Sequence, residues 1–209
     1  STSPSTGQFN AITASGSGTS ATITGNALRF TRGSGTTSFT RNTNFSPTTT
    51  AIIYQFDLTV TGSSTSSSQV ATWQIGNGYS TSKNGLEADS DTYAQMGIDF
   101  RTTGGGSFRF NDVSNNSTSN TYNYGTSYAI TWVMNNSGST ITYVSPSGSD
   151  ETVANDRVDF WVGNTRVFND VKVESSGDSI QDMKFAFAAS SGTITMDNML
   201  IQSMTTPQN

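Results

Sequence analysis

Residues 51–60 read AIIYQFDLTV, and this stretch decides the fold class. Large apolar side chains fill every second position, and the positions between them are mostly polar. A period of two is typical of a β-strand that packs one face on a core and turns the other face outward. The apolar positions of the stretch are Ile52, Tyr54, Phe56, Leu58 and Val60.

The same alternation returns along the chain. It recurs at residues 28–31, 71–76, 96–101, 108–110, 128–134, 158–162 and 183–187. With about a dozen strands and no convincing helical segment, the sequence predicts an all-β fold, a jelly roll of two packed antiparallel sheets. Ile141 and Tyr143 are expected to begin the hairpin partner of the strand at 128–134. Loops are expected at residues 61–68, 76–94, 111–126 and 145–156.

Composition excludes several function classes. Serine and threonine contribute 67 of the 209 residues, and lysine only three, so long helices are disfavoured. The chain has no Cys and no His, which excludes disulfides, thiol nucleophiles and Ser-His-Asp triads. A net charge of −5 argues against a nucleic-acid partner, and no apolar run is long enough to span a membrane.

We expect one domain at residues 9–203, a flexible linker at 1–8 and a tail at 204–209. Ser, Thr and Pro at both ends suit a module within a larger secreted protein. An extracellular location is therefore expected. We also expect the protein to be a monomer.

Strand parity predicts which side chains face away from the core. It places Gln74, Asp99, Arg101, Arg109 and Trp161 on outer sheet faces, whereas Trp73 and Trp132 fall on core parity. Aromatic rings stack on the C–H faces of sugars, and Arg, Asp and Gln bind hydroxyl or carboxylate groups. The candidate sugar-binding residues are Gln74, Tyr79, Asp99, Arg101, Arg109 and Trp161.

Glu87, Asp89 and Asp91 place three carboxylates at alternate positions of a loop rich in Gly and Ser. Closely spaced oxygen ligands suit Ca²⁺, although the EF-hand pattern is not met. The sequence therefore predicts calcium as a possible cofactor.

Three segments carry a resemblance to a known group. Residues 128–146 (YAITWVMNNSGSTITYVSP), 158–171 (VDFWVGNTRVFNDV) and 183–203 (MKFAFAASSGTITMDNMLIQS) resemble strands of concanavalin A-like jelly rolls from secreted bacterial polysaccharide-degrading systems. That group includes lectin-like carbohydrate-binding modules and β-jelly-roll polysaccharide lyases. The resemblance implies a non-catalytic module that binds a plant or algal polysaccharide, and the clustered arginines favour an anionic one. It also suggests Asp197 as a calcium ligand near the chain termini.

Two alternatives remain open. In a small polysaccharide lyase, Tyr79 would serve as base and acid, and Lys83, Arg101 or Arg109 would neutralise a uronate. Jelly-roll alginate lyases have a Gln-Ile-His pattern where this chain has Gln74, Ile75 and Gly76, so the histidine is missing. An adhesin or structural sandwich with no sugar partner is the other alternative, and it predicts that the Arg, Asp and Gln side chains pair internally.

Overall fold

Two seven-stranded antiparallel sheets and a small two-stranded sheet make up the protein in the computed structural model, which describes residues 8–46, 48–102 and 106–204. Most of the predicted linker and tail, residues 1–7 and 205–209, lies outside the described residues. No helix in the described ranges is long and apolar enough to cross a membrane.

The first sheet contains, in spatial order, β1 (Ala11–Ser15), β4 (Thr36–Arg41), β15 (Asp182–Phe187), β6 (Ser67–Gly76), β7 (Thr92–Arg101), β8 (Ser107–Asp112) and β9 (Ser117–Asn123). The second contains β14 (Thr165–Lys172), β13 (Arg157–Val162), β10 (Ser127–Asn135), β5 (Ala51–Gly62), β16 (Gly192–Ser203), β3 (Ala27–Arg32) and β2 (Ser20–Thr24). A 3₁₀ turn lies at Asp89–Asp91. Strands far apart in sequence are neighbours in both sheets, and the predicted all-β jelly roll is confirmed.

Aromatic side chains fill the space between the sheets. Trp73 of the first sheet lies with its ring centroid 4.7 Å from that of Phe185 beside it and 5.5 Å from that of Phe56 on the facing sheet. Its Nε1 donates to the sulfur of Met196, also on the facing sheet, at 3.2 Å. Trp73 and Trp132 are each 1% exposed, so their predicted core positions are confirmed.

Two local predictions are wrong. Residues 117–123 form the edge strand β9 instead of a loop, because one neighbour supplies its hydrogen bonds while its polar side chains stay in solvent. The segment β11 (Ile141–Val144) is not the hairpin partner of β10. It pairs instead with β12 (Asp150–Val153), within the predicted loop at 145–156, and the two strands form the separate small sheet.

The two sheets approach each other closely at Gly62. It ends β5, and a Cβ there would overlap the ring of Phe100 in the facing sheet. We expect Gly62→Ala to lower the free energy of unfolding by about 1–3 kcal/mol through overpacking, measured by urea denaturation. Gly85→Ala, where a Cβ meets nothing within 4 Å, is the matched control. Equal midpoints for the two variants would contradict this packing.

Candidate functional site

A loop at residues 77–91, here called the cover loop, lies against the outer face of the first sheet. Lys184 in β15 is completely buried beneath it. Its Nζ lies 2.5 Å from Glu87 Oε1 and donates to the carbonyl oxygen of Lys83 at 2.7 Å. Burial lowers the pKa of Lys184, and the Glu87 carboxylate opposes that shift. The buried ammonium group therefore holds the cover loop on the sheet.

Two predicted sugar-binding residues belong to this attachment. Gln74 Oε1 accepts a hydrogen bond from Glu87 N at 2.8 Å, and Tyr79 N donates to Asp182 Oδ2 at 2.8 Å. Gln74 is 1% exposed and Tyr79 is 2% exposed. Burial raises the pKa of the Tyr79 phenol above its usual range. Gln74 fastens the cover loop through its side chain and Tyr79 through its backbone N–H, and neither side chain reaches solvent.

Asp99, Arg101 and Arg109 do come together, on the half of the same outer face that is farther from the cover loop. Asp99 in β7 pairs directly with Arg109 in β8. Arg109 Nε and Nη2 donate to Asp99 Oδ2 at 3.0 and 2.9 Å. A bulge in β6 turns Gln69 N toward Asp99 Oδ1, at 2.8 Å, and Asn111 Nδ2 donates to the same oxygen at 3.2 Å. The Asp99 carboxylate is only 1% exposed, and each of its two oxygens thus accepts two hydrogen bonds from protein groups.

Trp161 lies on the other sheet, and the expectation that it is exposed is wrong. It is 4% exposed, because β11 and β12 fold over the outer face of β13 and pack Ile141, Tyr143 and Val153 around it. Trp161 Nε1 donates to the Tyr143 hydroxyl at 2.9 Å, and that hydroxyl donates to Asp159 Oδ2 at 2.5 Å. Burial, together with the Asp159 carboxylate, raises the pKa of Tyr143.

Arg166 also contacts the residues that lie beneath the β11–β12 hairpin. Its guanidinium carbon lies 5.2 Å from the Trp161 ring centroid, and its nitrogens lie 3.2 Å from Asp159 Oδ2 and 2.9 Å from Glu151 Oε2. Sequence reasoning missed Lys184, Asp159 and Arg166. Lys184 and Asp159 could have been found from the sequence, because each is a charged residue at an outward-facing position of an otherwise apolar strand.

The proposed calcium ligands are not gathered into a site. Within the described ranges no three Asp, Glu, His or Cys side chains form a group that could hold a metal ion. Glu87 is engaged by Lys184 and by Lys83, whose Nζ lies 3.3 Å from Glu87 Oε2. Asp197 lies on the second sheet, directly opposite Asp57.

Comparison with known proteins identifies the fold. No family model matches the sequence, and no curated protein matches it. Among solved structures, a sialidase matches with a TM-score of 0.57 and 12% identity over 93% of this chain, which spans only 17% of the sialidase chain. A carbohydrate esterase of the Shiga toxin-encoding bacteriophage phi24B matches with a TM-score of 0.54 and 12% identity, covering 93% of this chain and 90% of that one.

The carbohydrate recognition domain of Emp46p, in a potassium-bound form, matches with a TM-score of 0.51 and 11% identity, covering 93% of this chain and 89% of that domain. Identities this low show the fold alone. The concanavalin A-like jelly-roll fold that the sequence resemblance predicted is confirmed.

Lys184 gives the cover loop a direct test. We expect Lys184→Met to lower the free energy of unfolding by about 3 kcal/mol, because Glu87 loses its buried partner. Amide hydrogen exchange should also quicken at Tyr79 and Glu87, whose N–H groups donate to the sheet. Lys172→Met, at an exposed position of β14, is the control. Unchanged exchange in Lys184→Met would show that the ion pair does not hold the loop.

Proposed function

We propose that this chain is a non-catalytic carbohydrate-binding module that binds an anionic plant or algal polysaccharide on the outer face of the first sheet. The observation that carries the proposal is the pair of arginines, Arg101 and Arg109, on the half of this face that is farther from the cover loop.

Arg109 is held rigid by a buried carboxylate. Asp99 takes one edge of the guanidinium group, through Nε and Nη2, and leaves Nη1 without a protein partner among the described residues. The Arg109 side chain keeps 25% of its surface exposed. A planar guanidinium fork fixed in this way loses little conformational freedom when it binds a carboxylate or a pair of vicinal hydroxyls.

Arg101 supplies the second cation. It follows Asp99 by two residues on β7 and pairs with Ser107, so it lies diagonally from Arg109 on the same face. Arg101 is half-buried and forms no ion pair within the part of the chain that the structure describes. Two guanidinium groups and one fully engaged carboxylate give this surface a net positive charge on a protein of net charge −5. Such a patch favours an anionic group on the ligand.

Several proteins of similar fold are described by their carbohydrate chemistry, among them an esterase and a carbohydrate recognition domain, which supports a sugar partner. Polysaccharides of plants and algae are met outside the cell. We therefore extend the proposal to a secreted module that acts within a larger protein.

The geometry gives the lyase alternative no support. Tyr79, its base, is buried with a raised pKa, and Lys83 is paired with Glu87. Calcium has no part in the proposal, because Glu87 is committed to Lys184. The adhesin alternative keeps one favourable observation: Gln74 and Asp99 pair internally, as a sandwich without a sugar partner predicts.

Titration calorimetry against alginate, pectin, ulvan and glucuronan separates these two functions. We expect wild type to bind at least one of these anionic polymers. Arg109→Ala and Arg101→Ala should each weaken binding about tenfold or more, since each removes charge-assisted hydrogen bonds.

Arg157→Ala, in β13 of the other sheet, serves as the control and should bind like wild type. Failure of every polymer to bind would favour the adhesin alternative. Binding that survives both arginine substitutions would reject this surface as the site.

A further inference from the structure

A separate groove of about 280 Å³ opens on the outer face of the second sheet, on the opposite side of the sandwich from Arg101 and Arg109. It crosses β3, β16 and β5. Arg29 and the hydroxyl groups of Thr59, Thr61, Thr193 and Thr195 line it.

Three of the groove's lining residues, Arg29, Thr59 and Thr195, belong to a row of side chains that runs across five strands. From one edge to the other the row contains Thr22, Arg29, Thr195, Thr59 and Ser127. Neighbouring strands lie about 4.8 Å apart, so the row is about 19 Å long. Thr22 lies on the edge strand β2, and β13 pairs with β10 only as far as Ile130. Among the described residues, no further strand therefore closes either end of the row to an extended chain.

The surface of this row is suited to sugar rings without aromatic stacking. Each threonine offers a methyl group for a ring's C–H face and a hydroxyl group for its hydroxyls. The hydroxyls of Thr59, Thr61 and Thr195 form no hydrogen bonds within the described ranges, and none of these residues is fully buried. Arg29 is exposed and likewise has no ion pair or hydrogen bond there. Donors and acceptors for a polyhydroxylated ligand are thus unoccupied.

Charge decides which glycans fit. Asp57 and Asp197 lie directly opposite each other in the next row of the same face, two residues along their strands from Thr59 and Thr195. Asn198 Nδ2 donates to Asp57 Oδ2 at 2.7 Å, which fixes one of the two carboxylates without neutralising it. Two carboxylates beside one guanidinium group give the groove and its margin a net charge of −1. A ligand with a carboxylate on every ring would be repelled, unlike at the arginine pair of the first sheet.

We infer that this groove is a second carbohydrate site, and that it binds internal stretches of a neutral, extended polysaccharide. Arg29 donates to vicinal hydroxyls one strand in from the Thr22 end of the row, and the threonines contact the rings on either side of it. The protein then holds a neutral polymer on one sheet and an anionic polymer on the other.

Titration calorimetry with hydroxyethylcellulose, xylan and galactomannan tests the groove. We expect wild type to bind at least one of these neutral polymers, and Arg29→Ala to weaken that binding by about tenfold or more. Thr195→Val, which keeps side-chain shape and removes one hydroxyl, should weaken it by a smaller factor. Thermal unfolding of each variant checks that the exposed substitutions leave the fold intact.

Arg157→Ala, in β13 of the same sheet and outside the groove, is the matched control and should leave neutral-polymer binding unchanged. No binding of any neutral polymer by wild type, or equal binding by Arg29→Ala, would overturn the second site. Neither result would affect the anionic-polymer test of Arg101 and Arg109. Conversely, loss of anionic binding in Arg29→Ala, with Arg109→Ala unaffected, would place the anionic ligand in this groove and overturn the assignment of a neutral one.

Discussion

The ion pair between Lys184 and Glu87 determines which part of the first sheet meets solvent. A lysine in the middle of a sheet face can stay charged only if oxygen atoms surround its ammonium group, and the cover loop provides a carboxylate and backbone carbonyls. Asp159 is the corresponding buried charged residue on the second sheet. It has no exposed surface, and its partners Tyr143 and Arg166 tie the β11–β12 hairpin to that face. On each outer face, a buried charged residue thus holds the segment that covers it: Lys184 holds the cover loop and Asp159 holds the β11–β12 hairpin.

The cover loop and the β11–β12 hairpin each leave part of the outer sheet face exposed to solvent. On the first sheet the open part carries Arg101 and the clamped Arg109, and on the second it carries Arg29 among threonine hydroxyls. The two open surfaces differ in the sign of their local charge although the secondary structure beneath them is the same. Because the sheets lie back to back, a polymer chain bound on one face does not compete for space with a chain on the other.

Strand parity predicted a good deal of this arrangement. The apolar positions from Ile52 to Val60 are in the core, and so are Trp73 and Trp132. Asp99 and Arg109 lie on the outer face where parity placed them, and they pair directly across β7 and β8. Parity failed where a segment distant in sequence folds back on an outer face. Nothing local to Trp161 indicates that Ile141 and Tyr143 cover it, since the contact depends on where β11 goes after leaving β10.

Composition misled in a different way. The edge strand β9 reads STSNTYN, a polar stretch that is typical of a loop, yet its backbone pairs with β8. Gln74 has a side chain that suits sugar binding, but its amide oxygen instead accepts a hydrogen bond from the cover loop. Residue type indicates the kind of bond that a side chain can form. It does not indicate whether the partner will be a ligand or the protein itself.

The burial of all three tryptophans has a spectroscopic consequence. Trp73 and Trp132 lie between the sheets, and Trp161 lies beneath the hairpin, each at most 4% exposed. A sugar bound on either open surface touches none of these indole rings. Tryptophan fluorescence will therefore report unfolding of the sandwich and release of the hairpin, and it will not change when a polysaccharide binds.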